Sequence, residues 1–214
     1  MKKVIIIDYK LGNLFSVKQA CETVGIKSKI SSNFDEIINA DGLILPGVGA
    51  FNEAMKNLNN LGISSAINKS VSKQTPLFGI CLGLQLLFTK SEEFGTGKGL
   101  DLISGTIQKF PNSFEGNNIK VPHVAWNTIL NKKTNWSNTP FLDLSNNPYM
   151  YFVHSFYVNP TDDSCILSES NYDGISFCSS ILKNNIFATQ FHPEKSAKKG
   201  LNIYKNWALI NNLI

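Results

Sequence analysis

The sequence predicts an α/β fold: an open, mostly parallel sheet with flanking helices and a β-rich C-terminal half. Two observations carry that prediction. In the first half, short apolar runs alternate with stretches of helical periodicity, the rhythm of strand–helix–strand units. In the second half the helical stretches give way to short strand-like runs separated by turn signals. A third observation bounds the domain count. The chain has 214 residues, 43% apolar and 17% charged, without repeat, linker or low-complexity tract, which predicts one domain over 1–214.

The elements follow in order. Val4-Ile5-Ile6-Ile7 before Asp8 is too short for a signal peptide, has no small-residue cleavage site, and reads as a first buried strand. Residues 14–24 read as helix. Strand then helix follows at 43–45 and 51–58, and again at 77–80 and 82–88. Glycine and asparagine dominate 95–99 and 110–119. Strand-like runs then fall at 150–158, 165–170, 175–182 and 186–191, with turn signals at Asn159-Pro160, Asp173-Gly174 and Asn184-Asn185. Leu201, Tyr204, Trp207, Ala208 and Leu209 space the tail as a final amphipathic helix.

Composition excludes several classes of function. No apolar run approaches the roughly 18 residues of a membrane-spanning helix, so a cytoplasmic protein with no membrane partner is expected. The net charge of +4 is spread along the chain apart from short lysine pairs such as 132–133 and 198–199, which predicts no nucleic-acid partner. All 20 basic residues are lysine, so no bidentate arginine clamp for a phosphate can come from this chain. Cys21, Cys81, Cys165 and Cys178 are spaced for neither a disulfide framework nor a CxxC metal site; no metal and no cofactor are expected.

Cys81 stands apart. Gly79-Ile80-Cys81-Leu82-Gly83 puts a cysteine between two glycines where a buried strand gives way to a helix. That is the layout of a nucleophile elbow, whose turn is so sharp that small residues must flank the nucleophile. At a helix N-terminus the dipole and free N–H groups favour thiolate over thiol, and can receive an oxyanion. Alone, the same motif also suits a buried structural cysteine in a βα turn. Cys21, in a helical stretch, and Cys165 and Cys178, in strand-like runs, lack the glycines and read as structural.

A base is available at the other end of the chain. His192 closes the last strand-like run, where polar side chains of an open α/β sheet meet ligands. Glu194 follows two residues on, across Pro193, placed to hold the imidazole in the tautomer that accepts a thiol proton. A lone His-Pro-Glu would more often be a surface turn. Gln85 lies one helical turn after Cys81, so its amide can face the same pocket. His154-Ser155 interrupts an apolar-aromatic strand and could meet a substrate's polar end, or His154 could be a satisfied core histidine.

These segments resemble the triad-type class I glutamine amidotransferases, which share a flavodoxin-like sheet. More narrowly, the chain is similar to the glutaminase subunits of imidazole glycerol phosphate synthase. The narrower likeness rests on residues 7–9 with 12–14, 45–51, 121–127 and 151–157, besides 79–88 and 190–196, in the family's order over nearly the whole chain.

The resemblance implies that Cys81, His192 and Glu194 form the triad, and that Gly47, Val48, Gly49 and Leu82 surround the oxyanion. It implies glutamine binding by Gln85, His154, Ser155 and Phe156. Asn13, Trp126, Tyr151 and Lys195 would face a TIM-barrel cyclase subunit in a heterodimer, and His123 would be structural or interfacial. The family carries glycine before the tryptophan where this chain has Ala125, which would be strained if that position needs positive φ.

The implied chemistry is hydrolysis of glutamine to glutamate and ammonia, channelled to the cyclase for histidine biosynthesis. One alternative keeps the glutaminase and assigns the ammonia to amidino-sugar synthesis in surface polysaccharide pathways. Another is a non-catalytic subunit that retains the fold, against which the intact Cys81, His192 and Glu194 argue.

Overall fold

The structure, a computed structural model, describes residues 2–93, 95–131 and 136–214, and the lysine pair at 132–133 lies outside them. The chain runs β1 (Val4–Ile7), α1 (Leu14–Thr23), β2 (Ser28–Ser31), α2 (Phe34–Ile38), β3 (Gly42–Gly47), α3 (Phe51–Asn60), α4 (Ile63–Ser72), β4 (Leu77–Cys81) and α5 (Leu82–Leu86). Short strands follow as β5 (Phe88–Ser91), β6 (Gly97–Lys98), β7 (Ile103–Lys109), β8 (Ser113–Phe114), β9 (Asn117–Asn118), β10 (His123–Thr128) and β11 (Leu130–Asn131). The last elements are β12 (Tyr149–His154), β13 (Phe156–Pro160), β14 (Ile166–Tyr172), β15 (Ile175–Lys183), β16 (Ile186–Thr189) and α6 (Ala197–Ile210).

Twelve strands share one sheet in the order β2-β1-β3-β4-β16-β15-β13-β7-β5-β6, with β14 and β11 branching from β15. The first five are parallel, and beyond β16 the pairing turns mainly antiparallel. The parallel strands are apolar without alternation because both faces are covered. Ile5, Ile7, Leu43 and Leu45 face one core with α2 to α5. Val4, Ile6, Ile44 and Phe78 face a second core with α1 and α6, where the Phe78 ring meets Tyr204 and Trp207 at 5.2 and 5.5 Å.

Three expectations change in detail. The helix expected over 82–88 ends at Leu86, and the chain returns to the sheet as β5. The single run expected over 150–158 is two strands: β12 pairs with β10 in a separate ribbon, while β13 joins the main sheet. Ser155, between them, is where the chain changes sheet. Ala125 lies within β10 opposite Phe152 and does not have positive φ, so alanine there carries no strain.

Candidate active site

The parallel register places Gly47 beside Cys81 at the carboxyl ends of β3 and β4, and Thr189 beside Ile80 on the next strand. The loops leaving β3, β4 and β16 therefore converge at one sheet edge, where ligands bind in open α/β sheets. Cys81 sits there with φ 54° and ψ −107°, a sterically disfavoured backbone for a residue with a β-carbon. Its neighbours permit the turn: a β-carbon on Gly83 would overlap Leu45 O, and one on Gly47 would overlap the Tyr9 hydroxyl.

His192 follows β16 and opens a turn of 3-10 helix, Pro193–Lys195. Its Nδ1 lies 2.7 Å from Glu194 Oε1, with both side chains almost fully buried. Its backbone N–H donates to Tyr151 O at 2.9 Å. Ser196 Oγ donates to His192 O at 2.7 Å and accepts from Tyr151 N at 3.0 Å, tying this turn to β12. His192 Nε2 is buried and has no hydrogen-bond partner among the described residues. Burial alone would depress the imidazole's pKa, but the charge on the Cys81 sulfur and then Glu194 outweigh it and raise it to about 10.

Cys81 opens into a cavity of about 620 Å³ lined by Val48, Gly49, Leu82, Gln85, His154, Ser155 and Phe156 among others. Thus three of the four expected oxyanion residues border the cavity, while Gly47 lies behind it against Tyr9. All four expected glutamine-binding residues border it, but His154 spends both ring nitrogens inside the protein. His154 Nδ1 bonds Phe156 O at 2.8 Å and Nε2 bonds His123 Nδ1 at 3.0 Å. Burial pushes His154 down to about 3 and His123 to about 4, so both are neutral. His123 is wholly buried.

Glu92, Glu93, Lys109, Pro122 and Val153 also line the cavity and were not foreseen. An acidic pair just before a glycine-rich stretch looks like solvated surface in sequence. Yet Glu93 is buried, and its Oε2 accepts from Phe51 N at 2.8 Å, capping α3, whose N-cap Ala50 cannot do so.

Of the expected partner-facing residues, Trp126, Tyr151 and Lys195 lie together. Trp126 pairs with Tyr151 across the ribbon, with ring centroids 6.1 Å apart, and Lys195 Nζ lies 5.7 Å from the Tyr151 ring. Trp126 is 52% exposed, Tyr149 58% and, near Asn13 at the start of α1, Phe15 74%. Asn13 is exposed, and its side chain caps α1 by accepting from Ser16 N.

The model of the family "Glutamine amidotransferase class-I" matches residues 5–210. Imidazole glycerol phosphate synthase subunit HisH of Geobacter metallireducens is 42% identical over 98% of this chain and 99% of its own. The HisH of Methanosarcina barkeri is 46% identical over 97% and 98%. The chain belongs to the HisH group of class I glutamine amidotransferases. The fold agrees: the structure of PurLQS from Thermotoga maritima superposes with a TM-score of 0.74 at 15% identity, covering 97% of this chain and 98% of that one. This amidotransferase is thus an enzyme subunit with a mixed α/β sheet. Among its described residues no helix is long and apolar enough to cross a membrane.

Proposed function

We propose that this single-domain chain is the glutaminase subunit of imidazole glycerol phosphate synthase, supplying ammonia to a TIM-barrel cyclase subunit in cytoplasmic histidine biosynthesis. The observation that carries the reading is that β12 serves two faces. Val153 lines the cavity and its carbonyl lies 3.8 Å from Cys81 Sγ, while Tyr151 holds His192 by its carbonyl and stands beside exposed Trp126. A partner docked on the ribbon would therefore bear directly on nucleophile and base. The name carried by the full-length relatives favours the histidine pathway over amidino-sugar synthesis.

In the proposed reaction the Cys81 thiolate attacks the glutamine δ-carboxamide carbon. The oxyanion turns to the N–H groups around Val48, Gly49 and Leu82. His192 gives its proton to the departing ammonia, leaving a glutamyl thioester, and Glu194 keeps the imidazole in register. Water, deprotonated by His192, then releases glutamate. Glu92, Glu93 and Lys109 offer both charge signs to the substrate's ammonium and carboxylate groups. Gln85 Nε2 is occupied within the protein, leaving its oxygen as the acceptor for that ammonium.

The test mixes the chain with the cyclase subunit of the same genome and follows glutamate release with and without the cyclase's phosphoribulosyl ligand. A ligand-dependent rise that disappears in Cys81→Ala is expected. No rise, with a cyclase active on ammonium salts, would reject this partner.

A further inference from the structure

We propose that Gln190 is a positioning residue for the nucleophile, its side-chain amide donating an N–H to the Cys81 sulfur and holding the thiolate at the cavity wall. The inference rests on the glutaminase reading and extends it to a residue one place beyond β16. Gln190 is fully buried, and its backbone N–H donates to Ser179 O at 2.9 Å. Its Nε2 lies 3.7 Å from Cys81 Sγ.

The direction of that contact is set by the network. Amide oxygen and nitrogen are told apart by their partners. Gln85 Nε2 lies 3.0 Å from Phe156 O and 3.1 Å from Gln190 Oε1. A backbone carbonyl only accepts, so the Gln85 atom facing Phe156 is nitrogen. With that nitrogen donating on, the Gln190 atom that meets it is oxygen, and the one facing sulfur is a donor.

The same carbonyl accepts from His154 Nδ1–H, so His154 Nε2 accepts from His123 Nδ1–H. Asn127 Nδ2 approaches His123 Nε2 at 3.4 Å and donates to Asn171 O at 2.8 Å. Every link thus has one direction, and Gln190 presents an N–H to sulfur. A thiolate only accepts, and charge-assisted bonds of this kind are stronger than neutral ones. Gln190 is not among the residues that line the cavity, and it reaches the cavity only through Cys81 and Gln85, so its effect on the chemistry passes through Cys81.

Two variants test this: Gln190→Glu, which turns an anion on the sulfur at nearly the same volume, and Gln190→Met, which removes the donor. The rate of Cys81 carbamidomethylation by iodoacetamide is followed against pH by mass spectrometry of the Cys81 peptide. The profile is expected to move to higher pH in both, by about one unit or more in Gln190→Glu. kcat for glutamine in the complex should fall roughly tenfold or more, with KM within about twofold. A structural role would not move the alkylation profile. Wild-type profiles and kcat in whichever variant melts as wild type does would overturn the proposal. If Cys81→Ala kept its glutaminase activity, the parent reading would fail instead; if only the Gln190 profiles stay put, this inference alone does.

Discussion

At the scale of single residues, the site turns on one imidazole with opposed influences. Burial works against the charged His192, and the sulfur of Cys81 and the carboxylate of Glu194 overcome it. The larger of the two favourable influences is Cys81. Cys81→Ala should therefore lower the His192 pKa from about 10 by more than Glu194→Gln does, read by NMR titration of its Cε1–H. The reverse order would show that the carboxylate governs the base. The turn that carries Cys81 and the strand end that carries His192 and Glu194 were legible in the sequence, because a glycine-flanked strand-to-helix turn and a His-Pro-Glu step are local patterns. Gln190 and Glu93 were not, since a buried glutamine and a capping carboxylate reveal themselves only through partners such as Gln85 and Phe51. His154 was legible as a cavity residue, but its engagement with His123 depends on strand register.

At the scale of elements, the elbow between β4 and α5 stores strain that glycine would release. Cys81 holds φ 54°, where a β-carbon costs about 1–3 kcal/mol. Cys81→Gly should consequently melt no lower than Cys81→Ala, although glycine ordinarily lowers stability by about 0.5–1 kcal/mol in regular structure. A clearly lower melting temperature for the glycine variant would deny the strain. Gly83→Ala is the opposite case, because its β-carbon meets the Leu45 carbonyl of a fully buried strand that cannot retreat. Its loss should exceed about 2 kcal/mol in urea unfolding, and a near-neutral result would mean that α5 can shift away from β3. The same packing explains which elements sequence disclosed. β1, β3 and β4 are apolar throughout and stood out. β2 is half exposed with the sequence Ser-Lys-Ile-Ser, and α2 has five residues, so neither offered a pattern. The split of β12 from β13 was hidden because alternation records which face a residue takes, not which strand it joins.

At the scale of the molecule, the ribbon of β10 and β12 is a separate sheet, and the buried histidine pair joins it to the main body. His123 stacks on Phe152 and Tyr172, while His154 reaches Phe156 at the start of β13. Both imidazoles are held neutral by burial, at about 4 and 3, against about 6.5 in an unfolded chain. Below pH ~6.5 the unfolded chain takes up protons that the folded one refuses. The stability due to neutral histidines is therefore complete above about pH 6.5 and lost as pH falls toward the folded values. Each histidine contributes a slope of up to ~1.4 kcal/mol per pH unit in that window. Acid should open the ribbon before the parallel core, whose strands contain no titratable histidine. Because Val153 and Tyr151 hold Cys81 and His192 from that ribbon, the site should come apart with it. Hydrogen exchange at about pH 5 is expected to accelerate in β10 and β12 relative to pH 7 while β1, β3 and β4 stay protected. His123→Phe, which keeps an aromatic ring between Phe152 and Tyr172, should reduce the acid slope by about one proton. Equal loss of protection across ribbon and core would mean that the histidine pair is not where acid acts.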